Sequence, residues 1–261
     1  MMYLSQLLID TGGDPDRYRP GRMWLNNIYN VHRRLSMAFP MRLRRDADRE
    51  FLKPYDPADF AKRQFLFRVD NDIDGNSQRA VVIIQSTVKP DWDWAFQNAS
   101  HFLAAPPQVI EYNPIFKTGQ ELHFRILMNL SVKRNVEEVE ESAFGKTKTG
   151  RILHKRVAFT WNEDTTPDDA IGDWFAGKAV AQGFCPIRTR LLNLAWVYGS
   201  KSEATGMRPR RENVFRKLKY RSALLEGILR VDDPVKFTAA LKNGIGSAKS
   251  MGFGLLSVRP V

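Results

Sequence analysis

The hydrophobic positions in the first third of the chain follow two different periods. Residues 3–9 form a short apolar run typical of a strand, and residues 64–70 and 80–87 form two more. Between the first run and the other two, apolar residues recur at steps of three and four across positions 23–39, which predicts one amphipathic helix. The predicted order is therefore strand, helix, strand and strand.

The second half of the chain repeats this order. Residues 121–130 alternate like a strand, and residues 166–183 predict a helix with Thr166 as its N-cap and Pro167 in its first turn. Further along lie three strand candidates, a helix and a closing strand, at 186–200, 212–220, 221–231, 232–243 and 253–261. The polar stretch at 131–151 is assigned no element.

The two halves together define the predicted fold class. Residues 88–119, rich in proline and aromatic residues, predict a short helix, an edge strand and a linker. Two α+β units in tandem are the simplest architecture with this order of elements, and each unit is of the ferredoxin-like (RRM-type) kind. We predict an N-terminal domain over 1–115 and a C-terminal domain over 119–261.

Composition restricts the class of protein further. Hydrophobic residues make up 43% of the chain and charged residues 26%, which is typical of a folded protein. No apolar run approaches the ~20 residues that span a bilayer, and the N-terminal residues lack the pattern of a signal peptide. Cys185 is the only cysteine, which excludes an internal disulfide. We expect a cytoplasmic protein without membrane contact.

The charge of the chain favours a polyanionic partner. The formal net charge is +11, an excess that attracts phosphates in a salt-dependent way. Positive charge is concentrated in two zones, with nine arginines against two acidic residues over 17–49 and eight basic residues against two acidic residues over 199–221. Runs of this kind also occur on ordinary solvated surfaces, so charge alone leaves both interpretations open.

One histidine in the predicted helix has two interpretations. The buried stripe of that helix would consist of Trp24, Ile28, Val31, Leu35 and Phe39. Tyr29, His32, Arg33 and Ser36 fall on the adjoining flank, with His32 at the border. This position suits a half-sheltered imidazole that transfers protons, and it suits equally a structural histidine bonded to a carbonyl.

Four glycines lie between the last predicted helix and the closing strand, at Gly244, Gly246, Gly252 and Gly254. Glycines let backbone amides approach a phosphate closely. The segment leads into a strand and contains no Gly-Lys-Ser/Thr sequence, which excludes a Walker A loop and a dinucleotide fingerprint. A tight connection without any ligand is the alternative.

Motifs at both ends of the chain resemble one known family. The segment "EGILRVDDPVKFTAALKNGIGSAKSMGFGLLSVRP" resembles the C-terminal signature of the CasE family, the CRISPR RNA-processing endoribonucleases of Cascade-type bacterial defence. "MYLSQLLI" resembles the family's opening strand, "YNVHRRLS" its Tyr-x-x-His-Arg helix, and "VVIIQS" its third strand. Residues 131–165 align loosely, and Leu130 stands where the family often has proline.

The resemblance implies a function and a set of site residues. It implies tandem RRM-type domains that bind the stem-loop of a CRISPR repeat transcript and cleave it without metal or any other cofactor. The 2′-hydroxyl would attack and leave 2′,3′-cyclic phosphate and 5′-hydroxyl ends, with His32 and Tyr29 as catalytic residues. The protein, a monomer when alone, would stay on the crRNA beside other subunits of a type I-E Cascade complex. RNA contacts are expected from the helix, from a basic hairpin over 207–222 and from the glycine-rich loop: Arg33, Arg34, Ser36, Arg208, Arg210, Arg211, Arg216, Lys217, Lys219, Gly246, Ser247, Lys249 and Gly252.

Two other functions compete with this one. A non-catalytic subunit that holds a guide RNA has the same charge and the same sheets. A DNA-binding regulator would need a helix-turn-helix spacing that the chain lacks. The other histidines, His101, His123 and His154, lie in separate predicted elements without the spacing of metal ligands, so no metal site is expected.

Overall fold

The computed structural model describes residues 1–12, 20–40, 65–70, 78–137, 152–202 and 215–261. The first half contains β1 (Met2–Asp10), α1 (Pro20–Leu25), α2 (Ile28–Ser36), β2 (Phe65–Asp70), β3 (Arg79–Ser86), α3 (Trp92–Phe96) and β4 (Gln108–Tyr112). The second half contains β5 (Glu121–Asn129), β6 (Ser131–Glu137), β7 (Ile152–Ala158), α4 (Pro167–Ala179), β8 (Phe184–Ser202), β9 (Phe215–Val231), α5 (Pro234–Asn243) and β10 (Leu256–Pro260).

The strands form two four-stranded antiparallel sheets and one hairpin. The first sheet has the order β2-β3-β1-β4, the second has the order β10-β5-β9-β8, and β6 pairs with β7. In both sheets the first strand along the chain lies between the third and the fourth, and helices connect the strands. This is the ferredoxin-like arrangement, twice over, and the predicted fold class is confirmed.

The helix predicted over 23–39 is two helices. Asn27 breaks it, because its backbone is extended (φ −118°, ψ 96°) and its side chain accepts the N–H of Tyr29 as the N-cap of α2. Trp24 therefore belongs to α1, and Phe39 lies beyond the end of α2. Both side chains are nevertheless buried in the apolar cluster between the helices and the first sheet, which we call the first core; the second core is its counterpart at the second sheet. This is why the apolar period continues across the break.

The strand predictions for the second half need two corrections. The candidates at 212–220 and 221–231 are one strand, β9, because its alternation passes through Tyr220 and Arg221 without a turn. The unassigned stretch 131–151 contributes β6, and β7 follows it directly in the chain; the polar sequence of this stretch gives no strand signal. Leu130, the departure from the family pattern, is buried in the second core. The segment 71–79, which connects the strand candidates 64–70 and 80–87, lies mostly outside the described residues.

Buried polar contacts join the two sheets. Arg68 of β2 is buried and ion-paired with Asp70, at 2.6 Å from Nε to Oδ1. The same guanidinium donates to the carbonyl of Arg125 in β5 and to Oγ of Ser257 in β10, both at 3.0 Å. Gln85 of β3 donates to the backbone carbonyl of Leu241, which lies in α5 of the second half. Edge strand β2 is thus fixed to the second sheet.

Candidate active site

The start of α2 is held by a strand from the far half of the chain. Asn27 donates from Nδ2 to Oγ of Ser200 at 2.9 Å, and its Oδ1 accepts the backbone N–H of Ser200 at 3.1 Å. A Cβ at Gly199 would lie 3.1 Å from Cγ2 of Ile28, so a glycine permits this close approach. We call the outer ends of β8 and β9, residues 195–202 and 215–222, the arm. The arm crosses the N-terminus of α2.

His32 of α2 is half-buried against two aromatic rings. Its imidazole stacks on Phe65 with centroids 5.5 Å apart and 22° between planes, and Phe67 lies at 6.4 Å. Burial lowers the pKa of His32 below the usual value of about 6.5, so the ring is uncharged at neutral pH. Nδ1 is buried and has no hydrogen-bond partner among the described residues, so the structure gives no support at this atom for a histidine bonded to a carbonyl.

Tyr29 lies one turn before His32, on the same flank of α2, and is also half-buried. The ammonium of Lys201 lies 6.0 Å from the centroid of the Tyr29 ring. Sequence reasoning did not select Lys201, although it belongs to the second basic zone. Only the folding of the arm onto α2 brings this lysine, 172 positions along the chain from Tyr29, to the same place.

The other candidates on α2 point in two directions. Arg33 is exposed, and its carbonyl accepts a hydrogen bond of 2.7 Å from Oγ of Ser36. Arg34 lies on the opposite flank, where its guanidinium donates to the carbonyl of Ala95 at 3.0 Å and to Oδ1 of Asn98 at 2.8 Å. Partial burial lowers the pKa of Arg34. Arg33 and Ser36 therefore share a flank with Tyr29 and His32, and Arg34 anchors the helix to α3.

The glycine-rich loop packs against the same helix. Its 3-10 turn Lys249–Met251 contacts α2 and β2. Gly252 has a φ of +83°, and a Cβ there would lie 3.1 Å from Cε2 of Phe67, a ring that His32 touches. Lys249 donates from Nζ to the carbonyl of Asn243 at 2.8 Å. The loop thus supports Phe67, which forms the floor beneath His32. The predicted contact of the loop with phosphate stays a prediction.

The remaining candidates differ in how far the structure describes them. Gly246, with a φ of +84°, packs beside Met128, and the buried Ser247 receives a hydrogen bond of 3.0 Å from Nδ2 of Asn129. Lys217 and Lys219 lie on β9 in the arm and are exposed. Arg208, Arg210 and Arg211 lie outside the described residues, and Arg216 is described in its backbone only.

The described ranges also bear on metal binding and on membrane insertion. No group of three or more His, Cys, Asp or Glu side chains there could hold a metal ion. No helix within the same ranges combines the length and the apolar character needed to cross a bilayer. The absence of a cofactor therefore stays a prediction that rests on the resemblance.

Fold and site together define a class: a protein of two tandem ferredoxin-like units with a candidate acid–base pair on a helix beneath a basic arm. A family model described as "CRISPR associated protein" matches residues 2–260, and the chain belongs to this family. The CasE resemblance inferred from the two terminal motifs is confirmed by that match and by the relatives named next.

The relatives extend over almost the whole chain. The CRISPR-associated endoribonuclease Cse3 of Thermus thermophilus is 27% identical, over 99% of this chain and 100% of its own. The structure of Cse3 bound to a 19-nucleotide RNA superposes with a TM-score of 0.62 at 25% identity, covering 99% of both chains. Cas6e of Escherichia coli K-12 has the same fold, with a TM-score of 0.54 at 20% identity, over 99% of this chain and all of Cas6e.

Proposed function

We propose that the protein is a metal-independent endoribonuclease that binds the stem-loop of a CRISPR repeat and cleaves the precursor transcript once. The observation that carries this proposal is the pairing of an uncharged, half-buried His32 with Tyr29 one turn away, beneath the cationic arm. Cse3, a relative over the full length, is an endoribonuclease by name, and its structures contain RNA.

The proposed reaction needs three groups at one phosphodiester. The neutral imidazole of His32 accepts the proton of the 2′-hydroxyl, whose oxygen then attacks phosphorus. The bond from phosphorus to the 5′-oxygen breaks, and the phenol of Tyr29 donates a hydrogen bond or a proton to that leaving oxygen. Lys201 supplies positive charge beside the developing phosphorane. The products are a 2′,3′-cyclic phosphate and a 5′-hydroxyl.

The proposed grip on RNA uses the arm and the two sheets. The side chains of an RNA-binding hairpin enter the deep major groove of A-form RNA near a helix end or loop, where the groove opens. Lys217 and Lys219 extend from the arm toward solvent, which suits such a contact. We also propose that the two sheets correspond to domains over 1–115 and 119–261, because the strands of the first sheet end at Tyr112 and those of the second begin at Glu121.

The proposed setting is the cytoplasm, where precursor transcripts are made. The protein would act there as a monomer and then stay on the crRNA as a subunit of a Cascade complex. The support is the likeness of its fold to chains of solved CRISPR RNA-guided surveillance complexes, with a TM-score of 0.54 for one of them.

The decisive experiment is cleavage of the repeat RNA of the source organism in excess EDTA, with end-group analysis of both fragments. We expect one cut at an unchanged rate, with 2′,3′-cyclic phosphate and 5′-hydroxyl ends. Loss of cleavage in EDTA would contradict the metal-independent mechanism. Ends with a 3′-hydroxyl and a 5′-phosphate would contradict attack by the 2′-hydroxyl.

The second candidate function is a guide-RNA-binding scaffold without catalysis. The exposed rings of Trp196 and Tyr198 on the arm favour RNA binding, which such a scaffold requires. The same incubation separates the two functions, because a scaffold retains bound RNA intact.

A further inference from the structure

The arm has two faces of different character, because side chains alternate along paired strands. The inner face carries Val197 and Gly199, which pack on the first core and on α2. The outer face carries Trp196 and Tyr198, which are 47% and 54% exposed. Two large aromatic rings that are about half exposed on one face of a strand pair are unusual for side chains of this size.

Cations lie over the aromatic rings of this outer region. The ammonium of Lys219 is 4.1 Å from the centroid of Trp196, and the guanidinium of Arg221 is 4.4 Å from the centroid of Trp161. Within the described ranges, neither cation forms a salt bridge, and neither does the exposed Arg156 of β7. Their positive charge is therefore available to a phosphate.

The ring of Trp196 and three cations, Arg156, Lys219 and Arg221, line a cavity of about 390 Å³ at the base of the arm. Its floor is polar: Nδ2 of Asn129 donates to Oγ of Ser247 at 3.0 Å, and the hydroxyls of Ser131 and Ser247 are 2.8 Å apart. The cavity has the size of a small-ligand site and combines cations, a ring face and amide and hydroxyl groups.

The cavity lies across the glycine-rich loop from the candidate active site. Ser247 and Ala248 line it, and the turn Lys249–Met251 that follows them directly contacts α2. An occupant of the cavity is thus separated from the catalytic helix by the width of one loop. An RNA strand bound at His32 has a short path to this place.

We propose that this cavity binds a nucleotide of the unpaired RNA strand that continues from the scissile phosphate. The base of this nucleotide stacks on Trp196. Its phosphate is held by Arg156 and Arg221, and its polar edge contacts Asn129 and Ser247. A base in a duplex is not free to enter such a site, so the occupant is single-stranded. This proposal deepens the proposed function and rests on it for the choice of RNA.

The test measures RNA affinity in proteins that do not cut, so every variant also carries His32→Ala. Three RNAs are compared by fluorescence anisotropy: the repeat stem-loop alone, the stem-loop with its 5′ unpaired flank, and the stem-loop with its 3′ unpaired flank. For one of the flanked RNAs, we expect Trp196→Ala to weaken binding about 10-fold. Arg221→Ala should weaken the same RNA and reduce its salt slope by about 1. Binding of the stem-loop alone should change less than about 2-fold.

The matched control is Ile187→Ala, which removes a side chain of similar exposure from the same strand, outside the cavity. It should leave all three affinities unchanged. Equal losses on all three RNAs would overturn the proposal by making the outer face a contact for the paired stem. No loss on any RNA would overturn it too. Because cleavage is not measured, a failure of the proposed nuclease activity leaves this result interpretable.

Discussion

The imidazole of His32 lies flat against Phe65, one turn along α2 from the phenol of Tyr29. In this position it would act on a substrate proton without contributing charge to RNA binding. We expect His32→Ala to lower the single-turnover cleavage rate at least about 100-fold while the RNA dissociation constant stays nearly unchanged. The measurement is cleavage with enzyme in excess, alongside a binding titration.

The control for this substitution is His101→Ala. His101 is exposed and lies in the 3-10 helix Ser100–Phe102, which follows α3 in the chain. Its loss should change neither rate nor affinity. A parallel fall in affinity and rate for His32→Ala would make His32 a contact residue, and the mechanism above would be wrong.

The lowered pKa of His32 predicts the pH dependence of cleavage. A base must be unprotonated to act, so the rate rises with pH until the imidazole has lost its proton. Burial places that pKa below about 6.5. With enzyme and RNA both well below the dissociation constant, where the rate reports kcat/KM and the free protein is titrated, the rising limb should have its midpoint below pH 6.5. A midpoint above 6.5, or a rate that falls with rising pH across this range, would contradict His32 as the base.

The glycine-rich loop supplies a prediction at the scale of an element. Gly252→Ala places a Cβ 3.1 Å from the ring of Phe67, at a φ of +83°. Gly119→Ala is the matched control, because its φ is +81° and nothing lies within 4 Å of the new Cβ. Backbone strain should cost each variant about 1 kcal/mol in the free energy of unfolding. Gly252→Ala should lose clearly more than Gly119→Ala, because its new methyl group also crowds the ring of Phe67.

Denaturant unfolding of both glycine variants checks this expectation. The additional loss at 252 measures how tightly the loop supports the floor of the site. Equal losses would show that Phe67 yields to the new methyl group, and the loop would then have no supporting role beneath His32.

Local patterns in the sequence were enough to predict most of the elements. Thr166 was correctly predicted as the N-cap of α4, because a cap is a contact between close neighbours in the chain. The break at Asn27 was missed, because the buried Trp24 and Phe39 keep the helical period on both sides of it. The β6 and β7 hairpin was missed because its sequence lacks an apolar alternation.

The candidate site was predictable only in part, for a related reason. His32 and Tyr29 lie on one helix, so their shared flank follows from helical geometry. The bonds between Asn27 and Ser200 join residues 173 positions apart, and the contact of Lys201 with Tyr29 spans a similar separation. No local pattern encodes such contacts. The cavity behind the glycine-rich loop depends in the same way on elements brought together by folding.

At the scale of the whole molecule, Arg68 is the polar group that most directly joins the two sheets. Arg68→Met would leave Asp70 without its partner and remove the bonds to Arg125 and Ser257. Loss of one partner of a buried ion pair costs about 3–5 kcal/mol, so we expect a decrease of that order in the free energy of unfolding. Calorimetry or denaturant unfolding measures it.

The matched control is Arg230→Met. Arg230 pairs with Asp232 at the same spacing of two residues, but both side chains are about half exposed, at 49% and 48%. Exposed pairs contribute little, so the free energy of unfolding should change far less than for Arg68→Met. Similar losses for the two variants would show that Arg68 does not hold the sheets together.

The crossing of the arm over α2 has a consequence for the timing of biosynthesis. On the ribosome, α2 emerges early, but Gly199, Ser200 and the turn at 249–251 that cover it are translated some 160 residues or more later. A growing polypeptide therefore presents the histidine helix without its lid and its lysine. We expect the proposed active site to be complete only after these later segments have emerged and packed on α2, so unfinished chains should not cleave RNA.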